Sequence, residues 1–130
     1  MASRITAIRQ MRADLKRWRT MSTATIVKNM SSRSGLSTGE IVHVIYEMQD
    51  QISSAARDGQ AVKIEGLGTF TPTLRADGRI NLVFRADPRF LDKLNSEALY
   101  AKIINKENIG KSADELVALW NESHPDDPVE

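Results

Sequence analysis

Arginine and lysine are the residues of this 130-residue chain whose type and spacing offer chemistry. Lys63, Arg75, Arg79, Arg85 and Arg89 recur among segments that alternate polar with apolar residues. In a strand, successive side chains point to opposite faces. One face then collects Val62, Ile64, Phe70, Pro72, Leu74, Ile80, Leu82 and Phe84. The other collects Lys63, Glu65, Thr71, Thr73, Arg75, Arg79, Asn81, Val83 and Arg85, four basic residues of nine against one acidic. Such a face can neutralise phosphates, and the same pattern also fits an ordinary solvated sheet surface. A second basic group heads the chain. Residues 1–20 carry Arg4, Arg9, Arg12, Lys16, Arg17 and Arg19 against Asp14, a net of +5, while residues 21–87 balance and residues 88–130 carry −4. This head can hold phosphate, or dock on the acidic tail of its own or a neighbouring chain.

Other chemistries find little footing. Zero cysteines remove disulfides, thiol catalysis and thiolate metal sites together. His43 and His124 are linked by no metal-ligand spacing, Asp126 and Asp127 sit side by side in a tail, and no serine has a base placed near it. Asn105 to Ser112 approaches the phosphate-binding G-x-x-x-x-G-K-S, but Asn105 stands where the first glycine belongs. Gly110 as a chain break and Ser112 as a helix cap explain that run more simply. No enzyme, cofactor or metal is expected. No apolar run approaches the ~20 residues that span a bilayer, and the N-terminus lacks the apolar core of a signal peptide, so a soluble, cytoplasmic protein is expected.

The elements that must position the basic face follow from punctuation. Ser22 or Thr23 opens a helix to about Ser32, with Ile26, Val27 and Met30 inward and Gly35 as its left-handed cap. Ser37 followed by Glu40 is a capping box. It opens a second helix whose apolar residues Ile41, Ile45, Met48, Ile52 and Ala55 form a stripe, widened by Val42, Val44 and Ala56, before Asp58-Gly59 stops it. The strands around Val62/Ile64, Phe70 to Arg75 and Arg79 to Arg85 make a meander, the last two joined by a tight Ala76-Asp77-Gly78 turn. Pro72 cannot donate to a ladder, so a bulge or an early end to pairing is expected there. Asp87-Pro88 then caps a short helix with Leu91 and Leu94 on its inner side.

Leu36-Ser37, the long helix, Asp58-Gly59 with the Val62/Ile64 strand, and Gly66-Leu67-Gly68-Thr69-Phe70 together resemble the HU and integration-host-factor family of bacterial DNA-binding proteins. Pro88-Arg89-Phe90 leading into a short basic helix resembles it too. The resemblance implies an HU-like α+β fold: a helical hairpin, a three-stranded antiparallel sheet and a short C-terminal helix, as an interlocked homodimer or a heterodimer with a related subunit. It also implies that the sheet face meets the DNA backbone, which makes Lys63, Arg75, Arg79, Arg85 and Arg89, aided by Arg17 and Arg19, the expected contacts. The family's long basic β-ribbon arm, with its wedging proline, is replaced here by Arg75 to Arg79, so strong bending is not implied.

Three segments are expected: a basic extension over 1–20, an HU-like domain over 21–95, and a C-terminal extension over 96–130. The first reads either as a helix, with Ile5, Ile8, Met11, Leu15 and Trp18 at helical spacing, or as an edge strand over Leu15 to Thr20; in either form it packs through Trp18 or contacts DNA. In the last segment Ser112 and Glu115 form a second capping box for a helix whose stripe of Leu116, Leu119 and Trp120 packs on its own domain or a dimer mate, or binds a partner. A stiff acidic tail follows from His124. The functional expectation is a nucleoid-associated, architectural DNA-binding protein of low sequence specificity. The alternative is a structural component of a larger assembly, such as a particle or virion, that reuses the fold without its arm.

Overall fold

The computed structural model describes residues 1–130. In chain order its elements are α1 (Arg4–Met11), β1 (Asp14–Leu15), α2 (Thr23–Ser34), α3 (Thr38–Arg57), β2 (Val62–Ile64), β3 (Gly68–Leu74), β4 (Ile80–Ala86), α4 (Pro88–Ser96), β5 (Ile103–Ile104) and α5 (Ala113–Ser123), with a single 3-10 turn at Lys106–Asn108 before α5. They divide into two compact units, one of residues 20–98 and one joining residues 1–19 to 99–130.

Residues 20–98 form a helical hairpin beside a β2-β3-β4 antiparallel meander. Ser37 opens α3 as a reciprocal cap: its hydroxyl accepts from Glu40 N–H (3.1 Å) and its own N–H donates to the Glu40 carboxylate (2.9 Å). Helix α3 packs on β2 and β3, and Val27 and Ile41 are the large side chains buried in this unit. Coverage stops there. Ile80, Leu82 and Phe84 on β4 are 41–57% exposed, and an open cleft of about 750 Å³ runs between Ile45, Met48, Ile52 and Ala56 of α3 and Ile80 and Leu82 of β4. The apolar sheet face therefore grips the helix along only two of its three strands.

In this unit one expectation is met on one side only and another fails. Pairing with β4 runs unbroken through Pro72, which stands opposite Leu82, with no bulge, while pairing with β2 ends early, at Phe70. Arg75 N–H donates to Arg79 O (2.8 Å), so by alternation the Pro72 nitrogen points away from β4. It faces the edge where β2, whose last partner on that side is Phe70 opposite Val62, has already ended. No ladder bond is lost. Leu91 and Leu94 are not on an inner side either: both are exposed, and only Phe90 of that helix is half-buried.

The other unit brings the two ends of the chain together. Helix α1 packs on α5, with Ala7, Val117, Trp120 and Val129 as its core and Ala2, Ile8 and Met11 against it. A small residue makes the close approach. Trp18, expected to anchor this segment, is 88% exposed. The first 20 residues are both helix and strand, since β1 pairs antiparallel with β5. The run resembling a phosphate loop is a strap: Asn105 donates to Gln10 and Arg12 carbonyls (2.7 and 3.1 Å), and buried Asn108 donates to Met11 O (2.5 Å). Nor does the acidic tail hang free. Trp120 Nε1 donates to Asp127 O (2.9 Å), the Asp127 carboxylate accepts from Ala2 N–H (2.9 Å), and Val129 and the Asn121 side chain exchange two hydrogen bonds.

Candidate nucleic-acid interface

Strand register decides which cations share a face. Lys63 stands opposite Thr69, Thr69 opposite Arg85, and Arg75 opposite Arg79 across the hairpin turn. With no bulge in either ladder, these residues project from the face opposite Phe70, Leu82 and Phe84. All four cations are exposed. The ion pairs of the chain are Arg4–Asp114 and Arg12–Asp14, so none of the sheet cations is held in one.

The face has two basic ends. Arg75 and Arg79 flank a turn in which Gly78 N–H donates to Arg75 O (2.9 Å) and Arg79 N–H to the Asp77 carboxylate (3.0 Å). Lys63 and Arg85 lie six residues along β3 from there, roughly 20 Å at ~3.4 Å per residue. Between the two ends stand the uncharged Thr71, Thr73, Asn81 and Val83.

Asp87 organises the second end. Its carboxylate accepts from Arg89 N–H (2.9 Å) and Gly66 N–H (3.1 Å), tying the N-terminus of α4 to the turn before β3. Those two backbone bonds, first the one from Arg89 and then the one from Gly66, hold its carboxyl below the usual carboxylate range, against a small desolvation effect and with help from the Lys63 and Arg89 charges. It stays ionised beside them. Arg89 and Lys93, one helical turn apart on α4, line a hollow against Gly66 and Phe90. Lys93 was not among the expected contacts, although its i+4 spacing from Arg89 was visible in the sequence.

Gly68 sets how tightly this end is built. It is buried, with φ of 157°, and a Cβ there would stand 2.4 Å from Arg85 O and 2.6 Å from the Phe84 ring. The Phe84 ring packs in turn on Phe70, with centroids 4.9 Å apart. A glycine at 68 is what lets Arg85 approach β3 so closely.

A family model described as an HU domain fused to a wHTH, Ig or glycine-rich motif, named HU-HIG, matches residues 6–99. The chain belongs to this HU family. An HU mutant from Thermotoga maritima is a solved structure similar to it, at 16% identity over 57% of this chain and 99% of that one, with a TM-score of 0.49. No curated protein sequence matches. The HU-HIG match begins within α1 and spans the whole of the compact unit of residues 20–98.

The remaining expected site residues fall outside the sheet. Arg17 and Arg19 follow β1 in the unit built from the chain ends, exposed and without ion pairs. Leu116 and Trp120 are buried and Leu119 is half-buried within that same unit. Trp120 packs with Ala7, which corresponds to the own-domain packing alternative for this stripe. Arg4 of the basic head pairs with Asp114 and also donates to Glu130 O (3.0 Å), so part of that head is docked on the acidic segment of its own chain. No helix is long and apolar enough to cross a membrane.

Proposed function

We propose that this HU-family chain is a non-enzymatic, architectural DNA-binding protein that holds duplex DNA by its phosphates with little regard for sequence. The observation that carries this reading is the register that puts Lys63, Arg75, Arg79 and Arg85 on one exposed sheet face, none of them in an ion pair. Arg89 and Lys93 extend that face at one end. A 20 Å stretch of duplex carries roughly twelve phosphate charges, so both basic ends find partners on the same double helix. Thr71, Thr73, Asn81 and Val83 between them carry no charge, so the phosphate contacts fall to the two ends.

The working form in this reading is a two-fold pair. A unit whose large buried side chains are Val27 and Ile41 has too little core for its size. The cleft between α3 and β4, with the exposed Leu91 and Leu94 of α4, supplies the apolar surface that a second copy would cover, and two-fold pairing doubles the basic face. The test is duplex binding at low salt by the full chain and by an Arg75→Gln/Arg79→Gln/Arg85→Gln variant. The reading expects tight binding by the first and a large loss in the second; equal binding by the two would end it.

One observation favours a second reading, a structural role in an assembly. The β3–β4 connection is a closed three-residue turn, so the chain has no arm with which to wrap DNA. Retention of protein partners by the full chain, with their loss on truncation after Asn95, would support that role.

A further inference from the structure

The unit made from the chain ends carries a feature that the duplex reading does not use. Beyond β1 and β5 the two segments stay opposed, with Lys16 N–H donating to Lys102 O at 2.8 Å. Trp18 and Tyr100 follow on these two segments, two residues beyond that bond on either side. Lys16, Trp18, Tyr100 and Lys102 line one cavity of about 460 Å³. Its two aromatic side chains are 88% and 96% exposed, so neither ring is covered by the other or by the fold. Residues 15–20 and 98–106 contribute Lys16, Arg17, Arg19, Lys102 and Lys106 and no acidic residue.

We infer that this cavity is a clamp for single-stranded nucleic acid, in which an unpaired base stacks on Trp18 and Tyr100 while Lys16 and Lys102 take the flanking phosphates. The lining supplies both parts of that ligand's chemistry, rings for a base and cations for its phosphates. A flat ring left in water gains most from a planar aromatic partner, and each base offers a π-face whatever its sequence. Lysines beside the rings supply point charges for phosphate. In a duplex the bases are already stacked and paired, so the cavity selects strands whose bases are open. An acidic peptide would satisfy the lysines and leave both rings uncovered. The inference goes beyond the sheet-face reading and stands on different residues.

The test is titration of the full chain with a twelve-residue oligothymidylate at low salt, read by tryptophan fluorescence and by anisotropy of a labelled strand. Trp120 is 5% exposed, so quenching reports Trp18. Loss of one stacking partner is expected to weaken binding about 5- to 140-fold in Tyr100→Ala and in Trp18→Ala, with Trp18→Phe retaining most of the affinity. Both side chains are exposed, so these variants keep the fold. The Arg75→Gln/Arg79→Gln/Arg85→Gln variant should keep oligothymidylate binding whatever becomes of its duplex affinity, which separates the two surfaces. The inference is overturned by binding without Trp18 quenching, by undiminished binding in the Trp18→Ala/Tyr100→Ala double variant, or by equal binding of an oligoglutamate of the same charge.

Discussion

Replacing Gly68 with alanine should be among the most damaging single-methyl changes this protein can suffer. The added carbon would lie 2.4 Å from the Arg85 carbonyl oxygen and 2.6–2.7 Å from two Phe84 ring atoms, nearly an ångström inside ordinary contact. Neither neighbour is a loose side-chain end. The carbonyl belongs to β4, which pairs with β3 across this point, and the ring is held against Phe70. Overpacking of this kind costs about 1–3 kcal/mol, and holding an L-residue at a φ of 157° adds about 1–3 kcal/mol. The expected loss is therefore roughly 2–6 kcal/mol out of a total stability of about 5–15 kcal/mol. With a urea dependence near 2 kcal/mol per molar, the midpoint followed by far-ultraviolet circular dichroism should fall by about 1–3 M. Gly66→Ala is the internal control, because its φ is +82° and nothing lies within 4 Å of its Cβ position, so backbone strain acts alone. A Gly68→Ala midpoint equal to that of Gly66→Ala would refute the steric argument.

Three further outcomes are expected. Asp87 has a depressed carboxyl pKa in the folded chain, so its contribution is fully present above the ordinary carboxylate value near 4 and is lost as pH falls through the lower folded value; urea midpoints measured between pH 2 and 6 should fall at the acid end, and Asp87→Asn should flatten that part of the profile. Leu82→Asp places a charge in the cleft proposed to seat a second copy, and sedimentation equilibrium should show the pair dissociating at concentrations where the parent chain remains paired. Asn108→Ala leaves the Met11 carbonyl without its buried donor, at about 1–3 kcal/mol; the thermal transition followed by Trp120 fluorescence should come at lower temperature by several degrees.

Local signals were legible wherever one residue does one job. Ser37 and Glu40 announced a capping box that the fold contains, and Asp77-Gly78 announced the hairpin. Alternation over 62–85 gave the strands and put the four sheet cations on one side, as the register bears out. What could not be read depends on where a neighbour stops. Pro72 is harmless because β2 is three residues long, a length that no residue near Pro72 encodes. Leu91 and Leu94 read as inward because an apolar residue on an amphipathic helix implies a cover, and a single copy supplies none. The size of Trp18 suggests an anchor, whereas the close contact of two helices selects a small residue, Ala7, that carries no sequence signal of its own. The run from Asn105 to Ser112 gives no sign that the partners of Asn105 and Asn108 are backbone carbonyls some 95 residues away in the chain.

The central claim is that one sheet face neutralises DNA phosphates, and the slope of log affinity against log salt concentration tests it most directly. If Lys63, Arg75, Arg79, Arg85 and Arg89 each meet a phosphate, the slope is about −4.5 per copy, and losing Arg75, Arg79 and Arg85 brings it to about −1.8 per copy. A parent slope near zero, or a slope unchanged when those three arginines become glutamines, would contradict the account.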